Sequence, residues 1–120
     1  MTEAEVQRDV LLELSSRGFR LFRNNVGVAR YRTADGREQR VVYGLCPGSS
    51  DLIGWQSITI KPEHVGQRLA VFCALEVKSD EGRASPRQSR FLRAVIGAGG
   101  VAGVVRSVRD ALDLVRGVAP

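Results

Sequence analysis

Leu69-Ala70-Val71-Phe72-Cys73-Ala74-Leu75-Glu76-Val77-Lys78 is the most apolar run in the chain, and it ends on two charges. A continuous β-rich run is what a strand covered on both faces requires, so residues 69–78 are expected to form the central strand of an α/β sheet. Period-two geometry then places Glu76 and Lys78 on one face, with Leu75 and Val77 on the other. Two charges on a core face each cost several kcal/mol unless paired, in a domain worth about 5–15 kcal/mol. Either the strand has emerged into solvent by residue 76 and carries an exposed ion pair, or that face is a site.

On the N-terminal side, Thr2 with Glu5 forms a capping box, and Val6, Val10, Leu11 and Leu14 recur at helical spacing until Gly18. This predicts a first helix of about four turns. Phe19–Arg23 reads as a strand, Val28–Arg32 and Arg40–Tyr43 as a hairpin around Ala34-Asp35-Gly36-Arg37, and residues 51–55 as a short strand after a turn-rich loop. On the C-terminal side, Ser85 before Pro86 caps a helix running to about Ile96. Val101–Val105 is a buried strand, and Ser107 with Asp110 opens a last helix. The order is αββββ, β, αβα, one compact α/β domain.

Composition agrees with that scale: 120 residues, 43% hydrophobic and 26% charged, suit a single small domain. The apolar runs fall far short of the roughly 20 residues that cross a bilayer, and Met1-Thr2-Glu3-Ala4-Glu5 has neither the basic start nor the apolar core of a secretory leader. A cytoplasmic, non-membrane protein is expected. Cys46 stands in a Gly/Pro/Ser loop and Cys73 in the apolar run, where burial is expected; with no CxxC pair, zinc-ribbon and thioredoxin-like sites lack support. His64 has no second histidine to work with, and no base accompanies Cys46 as a nucleophile. Eighteen Lys and Arg against thirteen acids give +5, and only Lys61 and Lys78 of those eighteen are lysines. Arginine's planar fork suits phosphate, so a polyanionic partner is the natural reading.

Asp51 changes the weight of Glu76. It follows Pro47-Gly48-Ser49-Ser50, a loop that lets backbone and ligand approach closely. If the 51–55 strand pairs with the 71–78 strand, Asp51 and Glu76 converge. Two carboxylates and a neighbouring backbone carbonyl then form a hard oxygen site for Mg²⁺ or Mn²⁺, with Lys78 beside it to offset charge on phosphorus. A turn aspartate and a solvated ion pair are the plain alternatives.

Pro47-Gly48-Ser49-Ser50-Asp51-Leu52-Ile53-Gly54, then Ala74-Leu75-Glu76-Val77-Lys78, then Gly82-Arg83-Ala84-Ser85-Pro86-Arg87-Gln88 together resemble the PD-(D/E)XK nuclease superfamily, specifically its virus-type replication-repair nuclease (VRR-NUC) branch. Each piece is weak alone, and the ordered set is strong. Ser50 stands where the superfamily motif has proline. The resemblance implies a single VRR-NUC-like domain over residues 1–120, with a restriction-endonuclease-like core in which helices flank a central mixed β-sheet. It implies Asp51, Glu76 and the Val77 carbonyl as metal ligands, Lys78 as the catalytic lysine and Gln88 as the supporting glutamine on the following helix. Gln88 shares a helical face with Phe91 and Leu92, which points it toward the sheet. The first-helix acid of the family falls on Glu3 or Glu5. Glu5 is accounted for by the cap, so Glu3, beside Gln7, is the choice.

The implied activity is a Mg²⁺- or Mn²⁺-dependent DNA endonuclease of replication, recombination or repair, acting as a homodimer on branched DNA such as four-way junctions. The alternative is a non-catalytic DNA-binding module of the same fold; a structural partner subunit is a third reading. Arg87, Arg90 and Arg93 on the helix face away from Phe91 and Leu92, and Arg23, Arg30 and Arg32 with Asn24 and Asn25 near the first strands, are the candidate phosphate contacts. Phe19, Phe22, Phe91 and Val95 are assigned to the core.

Overall fold

The computed structural model describes residues 1–115. Its elements are α1 (Glu3–Ser16), β1 (Phe19–Arg23), β2 (Gly27–Arg32), β3 (Glu38–Tyr43), β4 (Leu52–Gln56), a short 3-10 turn (Pro62–His64), β5 (Cys73–Val77), α2 (Pro86–Gly97), β6 (Val101–Val105) and α3 (Val108–Val115). This is the expected order with one helical turn added. The chain divides into two compact units, residues 1–56 and residues from 57 onward.

In the first unit α1 starts where the capping box places it. Thr2 Oγ1 accepts from the Glu5 amide at 3.2 Å, and the Glu5 carboxylate accepts from the Thr2 amide at 2.8 Å. The helix lies against β1, which pairs antiparallel with β4, Leu21 standing opposite Gly54. A Cβ on Gly54 would fall 1.8 Å from the Arg20 carbonyl oxygen, so the two backbones meet closely only because residue 54 has none. Phe22 and Trp55 pack ring against ring, their centroids 5.5 Å apart. β2 and β3 form the expected antiparallel hairpin in the register Val28 to Val42, Arg30 to Arg40 and Arg32 to Glu38. Its turn is tied by Asp35, whose carboxylate accepts from the Thr33 hydroxyl and from the Arg37 amide.

The second unit is a parallel pair, β5 with β6, linked through α2 and covered on one side by that helix and on the other by α3. Leu92 and Val95 of α2 and Ala102 and Val105 of β6 make its buried core. α3 opens as expected, the Asp110 amide bonding Ser107 Oγ at 3.1 Å.

Several expectations are corrected. Among the described residues the strands form three two-stranded ladders in place of one central mixed sheet: β4 takes β1 as its partner, and β5 takes β6. The strand expected over 69–78 is regular only from Cys73 to Val77, because its partner β6 begins at Val101, directly after the Gly99-Gly100 turn that ends α2. Nor is it buried on both faces. α3 covers the β6 half of its face, where Leu114 meets Gly103, and leaves Cys73, Leu75 and Val77 exposed. Cys73 is thus an exposed thiol. Phe91 is 37% exposed, since Leu92 and Val95 take the inward positions of α2. His64 has a local partner, its Nδ1 accepting from the Lys61 amide at 3.0 Å.

Candidate functional site

Burial along β5 alternates with period two: Ala74, Glu76 and Lys78 are half-buried, and Leu75 and Val77 are exposed. The shared face of Glu76 and Lys78 is as the sequence predicts. It is the face toward α2, where Ala74, Leu75, Glu76, Arg87, Gln88, Phe91 and Leu92 line a cleft of about 340 Å³. The Lys78 ammonium lies 3.4 Å from Glu76 Oε1, the two side chains being only 23% and 28% exposed. This is a partly desolvated pair at the end of a strand, where the backbone is held by the Lys78 amide bonding the Val105 carbonyl at 3.1 Å.

Gln88 reaches the same oxygen. Its Nε2 donates to Glu76 Oε1 at 2.8 Å, while its Oε1 accepts from the Ser85 amide at 2.9 Å and its own amide donates to Ser85 Oγ at 3.1 Å. The side chain therefore closes a capping box and aims the Glu76 carboxylate at once. The sequence signal for this second role is the S-x-x-Q spacing of Ser85-Pro86-Arg87-Gln88, beyond the serine cap alone. The Gln88 bond uses Oε1, and Glu76 Oε2 accepts no hydrogen bond among the described residues. That free oxygen, next in the chain to the Val77 carbonyl, fits a hard cation that keeps several waters and takes one or two protein carboxylates. No group of three or more His, Cys, Asp or Glu side chains comes together among the described residues.

Asp51 belongs to the first unit, exposed at the head of β4. Its loop is organised by Asn24, which the sequence sets beside the candidate arginine Arg23. Asn24 Nδ2 donates to Ser49 Oγ at 2.7 Å and to the Ser50 carbonyl at 2.9 Å. Its Oδ1 accepts from the Leu45 amide at 2.9 Å, and its own amide donates to the Asp51 carbonyl at 2.8 Å. Gly48, at φ +83, supplies the left-handed turn within that loop. Asn24 thus fixes the backbone on both sides of Asp51; the only sequence signal is a polar residue at the end of a strand. Glu3 is exposed in the first turn of α1, and the cap does engage Glu5.

Arg87, Arg90 and Arg93 are exposed along α2, but Arg87, one turn before Phe91, lines the Glu76 cleft together with Phe91 and Leu92 and so does not share the expected face away from them. Arg30 and Arg32 share one face of the hairpin, while Arg23 ends the separate β1 ladder. Arg106, which carries no motif signal in the sequence, donates through one nitrogen to the Ser79 and Gly82 carbonyls, pinning the loop that follows Lys78.

The model of the VRR-NUC domain matches residues 28–109 of the 120, a span that includes Asp51, Glu76, Val77, Lys78 and Gln88 and excludes Glu3 and Arg23. No curated protein and no solved structure matches the chain. No described helix is long and apolar enough to cross a membrane. By the extent of that match the chain belongs to the VRR-NUC family, which implies a nuclease-type function with DNA as substrate.

Proposed function

We propose that the protein is a Mg²⁺- or Mn²⁺-dependent DNA endonuclease that works as a homodimer on branched DNA. The observation that carries the hydrolytic part is the Glu76 carboxylate, held through one oxygen by Gln88 and Lys78 with its second oxygen left over. The preference for branched DNA, the dimer and the choice of metal rest on the family resemblance. Asp51, Glu76 and the Val77 carbonyl are the cation's protein ligands in this reading, with Glu3 as the first-helix acid. When bound, the cation supplies Lewis-acid activation of water and charge stabilisation at the leaving oxygen.

The remaining work falls to the chain's own groups. Gln88 keeps Glu76 in one rotamer, so its free oxygen is presented without a further entropic cost. Lys78 brings a positive charge to the same face, where charge accumulates on the phosphoryl oxygens as the P–O bond breaks. Arg87, Arg90 and Arg93 bind phosphates flanking the scissile one, which fixes the register of the strand without reading its sequence.

The test is cleavage of labelled linear, flapped and four-way DNA in Mg²⁺ or Mn²⁺. The expected result is metal-dependent cutting with preference for the four-way substrate, lost in Glu76→Gln while DNA binding survives. DNA bound but uncut by the wild type in either metal selects the non-catalytic DNA-binding module.

A further inference from the structure

The β2–β3 hairpin is exposed on both faces, and its register sorts the chemistry of those faces. Arg30 stands directly opposite Arg40, and Arg32 opposite Glu38, so three guanidinium groups and one carboxylate share a face. Glu38 is engaged by Arg30 across the diagonal at 3.7 Å. Arg32 and Arg40 have no ion pair among the described residues. Like charges set opposite each other on a ladder destabilise it, and a two-stranded hairpin in water has little stability to spare. Such a face is costly to keep for structure alone and suits a polyanion that neutralises it. A two-stranded ribbon also matches the roughly 12 Å width of the DNA major groove, whose walls are lined with phosphates.

We propose that the Arg30, Arg32 and Arg40 face of the hairpin docks on the phosphate backbone of duplex DNA. The choice of DNA rests on the nuclease reading, whereas the surface itself rests on the hairpin register. The partner is recognised by charge, so binding through this face is independent of sequence.

The experiment measures binding of the full chain to two unrelated DNA duplexes by fluorescence anisotropy, in EDTA, across a salt series. Wild-type cleavage is assayed in parallel in Mg²⁺. The double variant Arg32→Gln/Arg40→Gln is expected to lower the slope of log K against log salt by about two for both duplexes. Arg32→Lys/Arg40→Lys, which keeps the charge, is expected to keep the slope. So is Arg8→Gln/Arg17→Gln, which removes two charges from α1. Arg40→Gln alone is expected to leave Tm unchanged or raise it, because a repulsion is relieved; a structural role for Arg40 would lower it. An unchanged slope in the hairpin glutamine variant overturns the proposal, as does an equal loss in the lysine or α1 variants. If the wild type cleaves DNA while the hairpin variant keeps its slope, the hairpin assignment falls alone. If the wild type neither binds nor cuts DNA, both readings fall.

Discussion

Gln88 joins local structure to chemistry: one side chain caps α2 and orients Glu76. The two roles separate by substitution. Ser85→Ala and Gln88→Met each break the cap and are expected to cost about 1 kcal/mol of stability, read as a shift in denaturation midpoint. Only Gln88→Met also removes the donor to a charged carboxylate, a bond worth about 1.5–3 kcal/mol. Single-turnover cleavage should therefore fall roughly tenfold or more in Gln88→Met and stay near wild type in Ser85→Ala. Equal rates in the two variants would reduce Gln88 to a cap. The face shared by Glu76 and Lys78 was legible in the sequence because strand periodicity is local. The bonds of Asn24 and Arg106 were not, since their partners stand 21 to 27 residues away in the chain.

At the scale of elements, the ladder of β1 with β4 depends on the missing side chain of residue 54. Gly54→Ala drives a methyl group into the Arg20 carbonyl, and with no flexible side chain to give way the strands must separate. A loss of about 1–3 kcal/mol is expected in chemical denaturation, within the range of overpacking. Separation at Gly54 also disturbs Asp51, three residues earlier, so cleavage should fall with stability. The hairpin turn makes a prediction in pH. The Thr33 hydroxyl, then the Arg37 amide, hold the Asp35 carboxyl below its usual range. A depressed folded pKa means that this contribution is complete above the unfolded pKa and is lost as pH falls through the folded value. Amide exchange at Arg37, corrected for its intrinsic pH dependence, should therefore speed up as pH is lowered below about 4. Asp35→Asn should abolish that acid step. Persistence of the step in Asp35→Asn would assign it to another group.

For the whole molecule, the proposed function makes Asp51 and Glu76 act as a unit, though they belong to different units of the chain. Residues that serve one centre are non-additive when removed. Asp51→Asn and Glu76→Gln are each expected to abolish detectable cleavage with DNA binding retained. Titration of Mn²⁺ into the variants should show that the double substitution loses no more affinity than the worse single one. Additive losses of metal affinity would mean two independent sites.

Features that depend on neighbours within a few residues were legible before any tertiary contact was known. The capping box at Thr2 and Glu5, the hairpin turn at Asp35-Gly36, the helix opened by Ser85 and Pro86, and the common face of Glu76 and Lys78 all follow from local hydrogen bonds and periodicity. The ordered motifs also sufficed to identify the family that the domain model matches. Tertiary structure alone decided which strands pair, because the ladder of a strand is completed by any edge of compatible length and direction. Thus β4 went to β1, and β5 was cut to the length of β6. It also decided that the apolar face of Cys73, Leu75 and Val77 stays exposed. An apolar run states that burial is favourable, but only the placement of a covering element, here α3 over β6, determines which half of a face receives it.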